Sequence, residues 1–390
     1  MLDPMGTNSS PSRFSFEPWA EKGLTLARVV AVHRDRWDIA ETANAASAAS
    51  VVSAASDASA AQAGAEPRSA ELAGSLRREA RGPADLPVVG DWVAAERVDD
   101  SLSLIRAIMP RAGLLARKRP GDAETDAVTE QAIAANIDLA LLAMAADDDF
   151  SLRRLERYLT LAWDSAARPV VVLTKADLAG TGGFPSLDER LAEIGSVAFG
   201  ERVVATSARD GEGLAELREL LAPDTCAILL GSSGVGKSSL LNALAGRELQ
   251  KTAETRGFDG KGRHATTSRR LVELPWGAFL VDTPGLRELQ LWGDGDSLSD
   301  TFPDVQALAS GCRFADCAHG EEPGCAVRAA LEEGKLSGDR LDSWRRLRRE
   351  LAYLERKTDS TAARAEREKW KKIAKLQKSL QAGKGRSPFP

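Results

Sequence analysis

The sequence has no run of about 18 consecutive apolar residues, the minimum for a helix that crosses a bilayer. No membrane partner is therefore expected. It also lacks a basic start followed by an apolar stretch. The chain opens MLDPMGTNSSPSRFSF, which is no secretory signal. Cysteine is scarce. There are four in 390 residues, and three of them fall between Cys312 and Cys325. A secreted disulfide framework would be denser and more dispersed, so the expected compartment is the reducing cytoplasm. No internal repeat is visible.

What is present is an ordinary globular balance, 43% hydrophobic and 28% charged, which excludes a fibrous or wholly disordered protein. At about 150 residues per domain, the length suggests two or three domains. The net charge of −5 is unevenly spread. From Asp342 to the end there are 15 Lys/Arg and 6 Asp/Glu, a net +9 that leaves −14 for residues 1–341. A basic tail on an acidic body points to a local polyanion contact.

Residues 1–20 are rich in Ser, Pro and Gly and read as a frayed tail. Residues 21–115 read as a small β-barrel of five short strands. LTLARVVAVHRDRWDIA gives two strands about a polar turn at Arg34–Arg36, and AGSLRREA, GDWVAAERV and LSLIRAIM give the others. Strand count does not separate an OB-like barrel from an SH3-like one. Within the barrel lies an insertion, 41–66, with 12 Ala and 5 Ser, too poor in large apolar residues to pack and best read as flexible. Pro110 to Glu130 reads as a linker. From 130 to 292, short apolar runs (IDLALLAMA, PVVVL, ERVVATSA, CAILLG, AFLVD) alternate with helical patterns, the first of them opening at Ser151 as N-cap. That alternation implies an α/β domain with a parallel sheet covered on both faces. Residues 293–390 hold a Cys/His cluster and helices rich in Arg and Lys.

The strongest signal is Gly231 to Ser239, GSSGVGKSS, which fits G-x-x-x-x-G-K-[ST] between an apolar strand and a helix. Gly231, Ser232, Ser233, Gly234, Val235 and Gly236 would wrap their amides around phosphates. Lys237 would reach the β- and γ-phosphates, Ser238 would ligate magnesium, and Ser239 would continue into the helix. The base is suggested by TKAD, Thr174, Lys175, Ala176 and Asp177, at the end of PVVVL. Asp177 would accept two N–H donors from guanine, and Lys175 would lie along the ring. Thr174 stands where Asn is usual. TSA, Thr206, Ser207 and Ala208, follows at the next strand end, with an amide for the guanine oxygen. After the phosphate loop comes DTPG. Asp282 would hold magnesium through water, and the Gly285 amide would sense the γ-phosphate. Thr266 or Thr267 would be the switch threonine.

An ordinary GTPase runs phosphate loop, switch Thr, DxxG, base motif, SA. This chain runs base motif, SA, phosphate loop, switch Thr, DxxG, a circular permutation. The order is acceptable because each motif ends a strand, and the site depends on sheet position rather than chain order. The segment after DTPG then leads, within 26 residues, from Gly285 to Cys312. Leu286 occupies the position of a water-orienting Gln. Intrinsic hydrolysis should therefore be slow and need help from His264 or from a partner.

Cys312, Cys317, His319 and Cys325 lie within fourteen residues among turn-forming glycines and a proline. Three thiolates and an imidazole fit tetrahedral zinc, with every position filled and hence a structural role. The alternatives are packed reduced cysteines or a disulfide. Cys226, on the strand before the phosphate loop, reads as a buried apolar residue. His33, in a barrel turn, carries no clear chemistry.

Together these features resemble the ribosome small-subunit-dependent GTPase family (RsgA/YjeQ). The likeness rests on PVVGDWV, QAIAANID, TKADL, TSA, GSSGVGKSSLLN, GRHATT, DTPGLREL and the Cys312–Cys325 cluster, and it covers nearly the whole chain. It implies an OB-fold barrel, a central circularly permuted GTPase domain and a mostly helical zinc domain. It also implies a monomeric cytoplasmic factor that binds GTP and GDP, contacts the 30S subunit and its 16S rRNA late in maturation, hydrolyses GTP faster there, and releases another assembly factor. Arg345, Arg346, Arg348, Arg349, Lys369, Lys371 and Lys372 suit phosphate contacts, and Trp370 adds a stacking surface. The rival readings are a P-loop metabolite kinase or ATPase, and a GTP-binding RNA scaffold without catalysis.

Overall fold

The computed structural model describes residues 14–41, 67–80, 82–118, 130–250, 269–283 and 297–358. The amino-terminal unit opens with a short helix, α1 (Glu17–Ala20), and strands β1 (Thr25–Val32), β2 (Trp37–Glu41) and β3 (Arg68–Leu72). Helix α2 (Gly74–Glu79) and strands β4 (Trp92–Arg97) and β5 (Leu102–Ile108) complete it. The strands run in the order β1-β2-β3-β5-β4, and β4 pairs back to β1, so the sheet closes. The β3–β5 pair is parallel and the others antiparallel, and α2 lies between β3 and β4 in sequence. This is an OB-like barrel, and strand order settles what strand count left open. Its interior is filled by alternate strand residues including Val29, Ile39, Val93 and Ile105, all 0% exposed.

Three expectations change here. AGSLRREA is mostly helix α2 rather than a strand, and the third strand lies just before it. Residues 14–20 are not a frayed tail. Phe16 is buried beside Leu26, Trp92 and Met109, on the face of β1 and β4 opposite the barrel interior. Part of the expected linker is strand β6 (Leu114–Lys118), which pairs antiparallel with β7 (Glu130–Ala135) as a two-stranded sheet.

The central domain continues with β8 (Leu139–Ala145), α3 (Leu152–Asp164), β9 (Arg168–Thr174), α4 (Leu187–Ala198), β10 (Arg202–Ala205) and α5 (Leu214–Leu220). Then come β11 (Cys226–Leu230), α6 (Lys237–Ala245), β12 (Arg269–Glu273) and β13 (Phe279–Asp282). The sheet order is β10-β9-β8-β11-β13-β12, parallel throughout except for β12. β8 shows why its sequence is a continuous apolar run. Leu139, Leu141 and Ala143 pack with α5 and α6 on one face, while Ala140, Leu142 and Met144 pack with α3 and α4 on the other. A strand buried on both faces has no polar side to alternate. Cys226 is 0% exposed, as a packed apolar residue should be. Ser151 stands at the N-cap of α3, but its hydroxyl makes no capping bond.

The antiparallel strand β12 was not anticipated, and it joins the two units. Its outer edge pairs with β1 of the barrel, Ala31 opposite Arg270 and Val32 opposite Arg269, so one sheet runs through both. Arg28 of β1 is sandwiched across this junction, 5.4 Å from the Trp92 ring and 5.1 Å from that of Phe279.

The carboxy-terminal unit comprises α7 (Ser297–Thr301), α8 (Pro303–Ala309), α9 (Ala326–Glu332) and the 21-residue α10 (Gly338–Thr358). It docks on α3. Arg340, 6% exposed, bonds Glu156 Oε1 of α3 at 2.6 Å, both oxygens of Asp304 at 3.1 Å and the Thr301 carbonyl at 2.8 Å. Its guanidinium also stacks 4.1 Å from the Phe302 ring. Glu350 receives both ends of Arg157 at 2.7 Å. Arg340→Ala should strand Glu156, 3% exposed, without its cation. The expected loss is about 3–5 kcal/mol, because a broken buried pair leaves an uncompensated charge. The double change Arg340→Met with Glu156→Leu should recover most of it. Chemical denaturation of the single and double variants checks this.

Candidate guanine-nucleotide site

The site lies along the carboxyl ends of β9, β10, β11 and β13, which share one edge of the sheet. β11 delivers the chain into the loop Gly231–Gly236, and α6 starts at Lys237. Two glycines are required by geometry. Gly236 has φ +104°, a left-handed backbone that a side chain resists. At Gly231 a Cβ would come within 2.9 Å of the Ala143 carbonyl oxygen, so the loop could not pass this close to β8. Lys237 folds back over the loop, its ammonium donating to the Gly231 carbonyl at 2.7 Å and to that of Ser232. Burial lowers its pKa to about 8, offset in part by the charge of Asp149. Ser233, Gly234 and Ser239 lie on the same loop and first helical turn.

Thr174 ends β9 and is 4% exposed. Its hydroxyl sits between two carbonyl oxygens, Met144 at 3.0 Å and Val235 of the phosphate loop. The residue that departs from the usual Asn therefore ties the base-reading strand to the phosphate loop. Lys175 adopts a left-handed backbone, φ 56°, and its ammonium pairs with Asp147 at 2.7 Å. Burial alone would raise the Asp147 pKa, but this bond and the Asp149 amide outweigh it and hold the carboxyl below its ordinary value. Ala176 and Asp177 form a 3-10 turn, Asp177 half-buried. The Ala176 amide donates to the Thr206 carbonyl at 3.0 Å, and the Thr206 amide donates to Leu173 at 2.7 Å. Ser207 Oγ contacts Asp210 Oδ2 at 3.2 Å, and Ala208 is half-buried beside it. The two loops expected to read the base are thus bonded to each other as well as to the phosphate loop.

Asp282 ends β13. Burial raises its pKa, against the opposing pull of Gln250 and Arg270. Gln250 is a residue that no sequence motif pointed to. Its carboxamide lies between the two expected magnesium ligands, accepting from the Ser238 hydroxyl and donating to Asp282 Oδ1. Asp149, equally unmarked in the sequence, accepts from Ser232 Oγ of the phosphate loop and from Arg154 Nη1 of α3 at 2.8 Å. Neither residue belongs to a spacing motif, and the turn after β8 gave no signal beyond three consecutive aspartates. His264, Thr266, Thr267 and Gly285 lie outside the described residues.

About the carboxy-terminal cluster, the ligand atoms of Cys312, Cys317, His319 and Cys325 all lie within 4.8 Å of one another and could hold a metal ion. All four cysteines of the chain are free thiols, which excludes the disulfide alternative. The His319 Nδ1 faces both Cys312 Sγ and Cys325 Sγ at 3.6 Å. Burial, with the nearby charge of Arg348, lowers the imidazole pKa and favours the neutral form a metal ligand needs. Glu322 braces the turn by accepting from the amides of Ala318 at 3.1 Å and Gly320 at 2.6 Å.

An OB-like barrel, a phosphate loop bonded to a base-reading turn that precedes it in the chain, and a Cys3His cluster define a circularly permuted GTPase. The model of the RsgA GTPase family matches residues 108–292. The small ribosomal subunit biogenesis GTPase RsgA of Opitutus terrae is 45% identical over 328 residues, 82% of this chain and 87% of that one. The RsgA of Streptomyces avermitilis is 38% identical over 371 residues, 95% of this chain and 91% of its own. The chain belongs to the RsgA GTPase family. Among solved structures, YjeQ from Thermotoga maritima aligns with a TM-score of 0.57 and 24% identity, covering 84% of this chain and 98% of that one. YloQ, described as a circularly permuted GTPase, aligns at 0.54 with 22% identity, covering 84% and 95%. Both speak to the fold. Family membership also decides against the metabolite kinase, since the enzyme is a GTP hydrolase.

The lowered Lys237 pKa carries a pH signature for nucleotide binding. Near pH 8.5 the free protein holds this lysine largely neutral, while phosphates restore the charged form. Nucleotide binding should therefore take up about three-quarters of a proton per site at pH 8.5 and almost none at pH 6.5, with affinity falling as pH rises through about 8. Titration calorimetry in buffers of different ionisation enthalpy measures the uptake.

Proposed function

We propose that this GTPase binds the small (30S) ribosomal subunit through 16S rRNA, assists its late maturation and hydrolyses GTP faster on the subunit than alone. The supporting observation is the match, over 82% and 95% of the chain, to relatives named for small-subunit biogenesis. A second support is a row of cations on α10, where Arg346, Arg348 and Arg349 are exposed. Arg348 stacks on Trp344 at 5.0 Å, and Trp344 in turn lies 5.1 Å from the His319 ring. Such a face suits a phosphate backbone with little sequence readout. Lys369, Trp370, Lys371 and Lys372 lie outside the described residues. The same reading has the chain act as a cytoplasmic monomer and release another assembly factor. Among the described residues no helix is long and apolar enough to cross a membrane.

In this reading Asp177 and the Ala208 amide select guanine, and Lys237 and the loop amides neutralise the triphosphate. Ser238 and Asp282 offer hard oxygen donors that fit magnesium, which would neutralise charge developing between the β- and γ-phosphates. Leu286 cannot orient water, so the subunit supplies the missing group or the conformation that brings it. We assign the Cys3His ion as zinc. Zinc–sulfur bonds of about 2.3 Å and zinc–nitrogen bonds of about 2.0–2.1 Å set S···N edges near 3.6 Å in a tetrahedron, and Cys312 and Cys325 stand 3.6 Å from Nδ1.

GTP turnover should be slow alone and rise at least tenfold with purified small subunits, and no rise would overturn the assignment. Co-sedimentation with the subunits should favour a non-hydrolysable GTP analogue over GDP. Arg346→Ala, Arg348→Ala and Arg349→Ala together should flatten the logarithmic salt dependence of binding by about 0.7–0.9 for each phosphate no longer neutralised. Substitution is the right test because Leu347, Leu351 and Leu354 of the same helix are buried, and truncation from 342 would remove them. Elemental analysis should find one zinc per chain, and Cys317→Ala should lose it together with the order of α9 while nucleotide binding persists.

A further inference from the structure

Gln250 stands between Ser238, in the first turn of α6, and the β13 carboxylate of Asp282. Ser238 Oγ donates to its Oε1, and its Nε2 donates to Asp282 Oδ1. The orientation of the carboxamide suits both neighbours, since an acceptor faces the hydroxyl and a donor faces the carboxylate. The residue is not placed there by its own flexibility. Asn242 of α6 clamps the backbone on which it stands. Asn242 Oδ1 accepts from the Leu249 amide at 2.9 Å and the Gln250 amide at 3.0 Å, and Asn242 Nδ2 donates to the Gln250 carbonyl at 2.7 Å. Three bonds from one helix residue fix the loop, and the loop aims the carboxamide between Ser238 and Asp282.

Those two side chains are the ones that would serve magnesium, the serine directly and the aspartate through water. Magnesium demands near-octahedral oxygen ligation at short range. The Gln250 carboxamide lies between the hydroxyl and the carboxylate, in the space that an ion served by both would need. Asp282 Oδ1 accepts from Nε2, so a metal-bound water would compete with the carboxamide there. We propose that Gln250 competes with magnesium: its carboxamide satisfies Ser238 and Asp282 in the metal-free protein and must swing out before the metal is bound. Gln250 then sets how much magnesium the protein needs to hold nucleotide. The alternative role, a carboxamide ligand that helps hold the ion, predicts the opposite sign. The inference rests on the magnesium reading of Ser238 and Asp282.

The test is the dissociation of a fluorescent GDP analogue from the full chain, followed across a magnesium titration that starts in chelator. Wild type is compared with Gln250→Ala and with Gln250→Met, which keeps the length of the side chain and loses both bonds. With one hydroxyl and one carboxylate hydrogen bond removed from the metal-free state, the magnesium concentration that half-maximally slows release should fall at least about five- to tenfold in both variants. The release rate in chelator should stay within about twofold of wild type. An unchanged or higher half-point in both variants overturns the competition, a higher one marking Gln250 as a ligand. Indifference of the wild type itself to magnesium overturns both the proposal and the metal assignment beneath it. Binding of Mn2+ in place of magnesium, read by electron paramagnetic resonance, should show the same tightening without any turnover.

Discussion

The hydroxyl of Thr174 holds the two halves of the nucleotide site in one frame. It lies between the Met144 and Val235 carbonyl oxygens, so it touches β8, β9 and the phosphate loop together. Thr174 and Val235 are 61 residues apart, and the permuted order puts the base-reading half first. Nothing in the chain path keeps these halves in register. The sheet does so, because β9, β8 and β11 are parallel neighbours and end on the same edge. The side-chain bond then fixes what the sheet brings near. A buried hydroxyl is well suited to this, since an unpaired one would cost about 1–3 kcal/mol. The same logic repeats outward, with Ala176 bonded to Thr206 and Lys175 to Asp147.

A second line of contacts leaves the phosphate loop in the opposite direction. Ser232 bonds Asp149, Asp149 bonds Arg154, and Arg154 lies on α3. The same helix carries Glu156 and Arg157, which pair with Arg340 and Glu350 of α10. α10 also carries Trp344 against His319 and presents the exposed arginines. A continuous series of packed and bonded groups therefore runs from the phosphate loop to the cationic face.

Much of the site was legible in sequence because its chemistry imposes spacing. Gly231, Gly236, Lys237 and Ser238 sit where amides, ammonium and hydroxyl must converge on phosphate, and the structure places them on one loop between β11 and α6. The Cys312–Cys325 spacing was legible for the same reason. What escaped was the support around these motifs. Thr174 read as a weakened Asn motif, whereas its hydroxyl makes the cross-sheet bond. Gln250 and Asp149 act through tertiary neighbours 12 to 83 residues away, and no local pattern encodes that. The barrel shows the limit of local propensity. AGSLRREA is polar and short, and α2 forms there because the chain must cross from β3 to β4 outside the closed sheet. Phe16 looked like part of a polar tail because one aromatic packed on the outer face of the barrel leaves no local periodicity.

Permutation changes which parts of a GTPase can pull on others. In this chain the strand ending at Asp282 leads on to α7, and α7 packs on α3 through Thr301, whose hydroxyl meets that of Thr160 at 3.1 Å. The carboxy-terminal unit therefore follows β13 in sequence and is held by side chains on α3. A change at Asp282 would act along the first connection, and a change at Ser232 along the second. Both connections end on elements that Arg340 joins, since its one guanidinium binds Glu156 of α3, Asp304 of α8 and Thr301 of α7. A nucleotide that touches both the phosphate loop and Asp282 would thus bias a single element from two sides. That convergence is the physical reason a permuted order suits the binding and switching proposed for this chain.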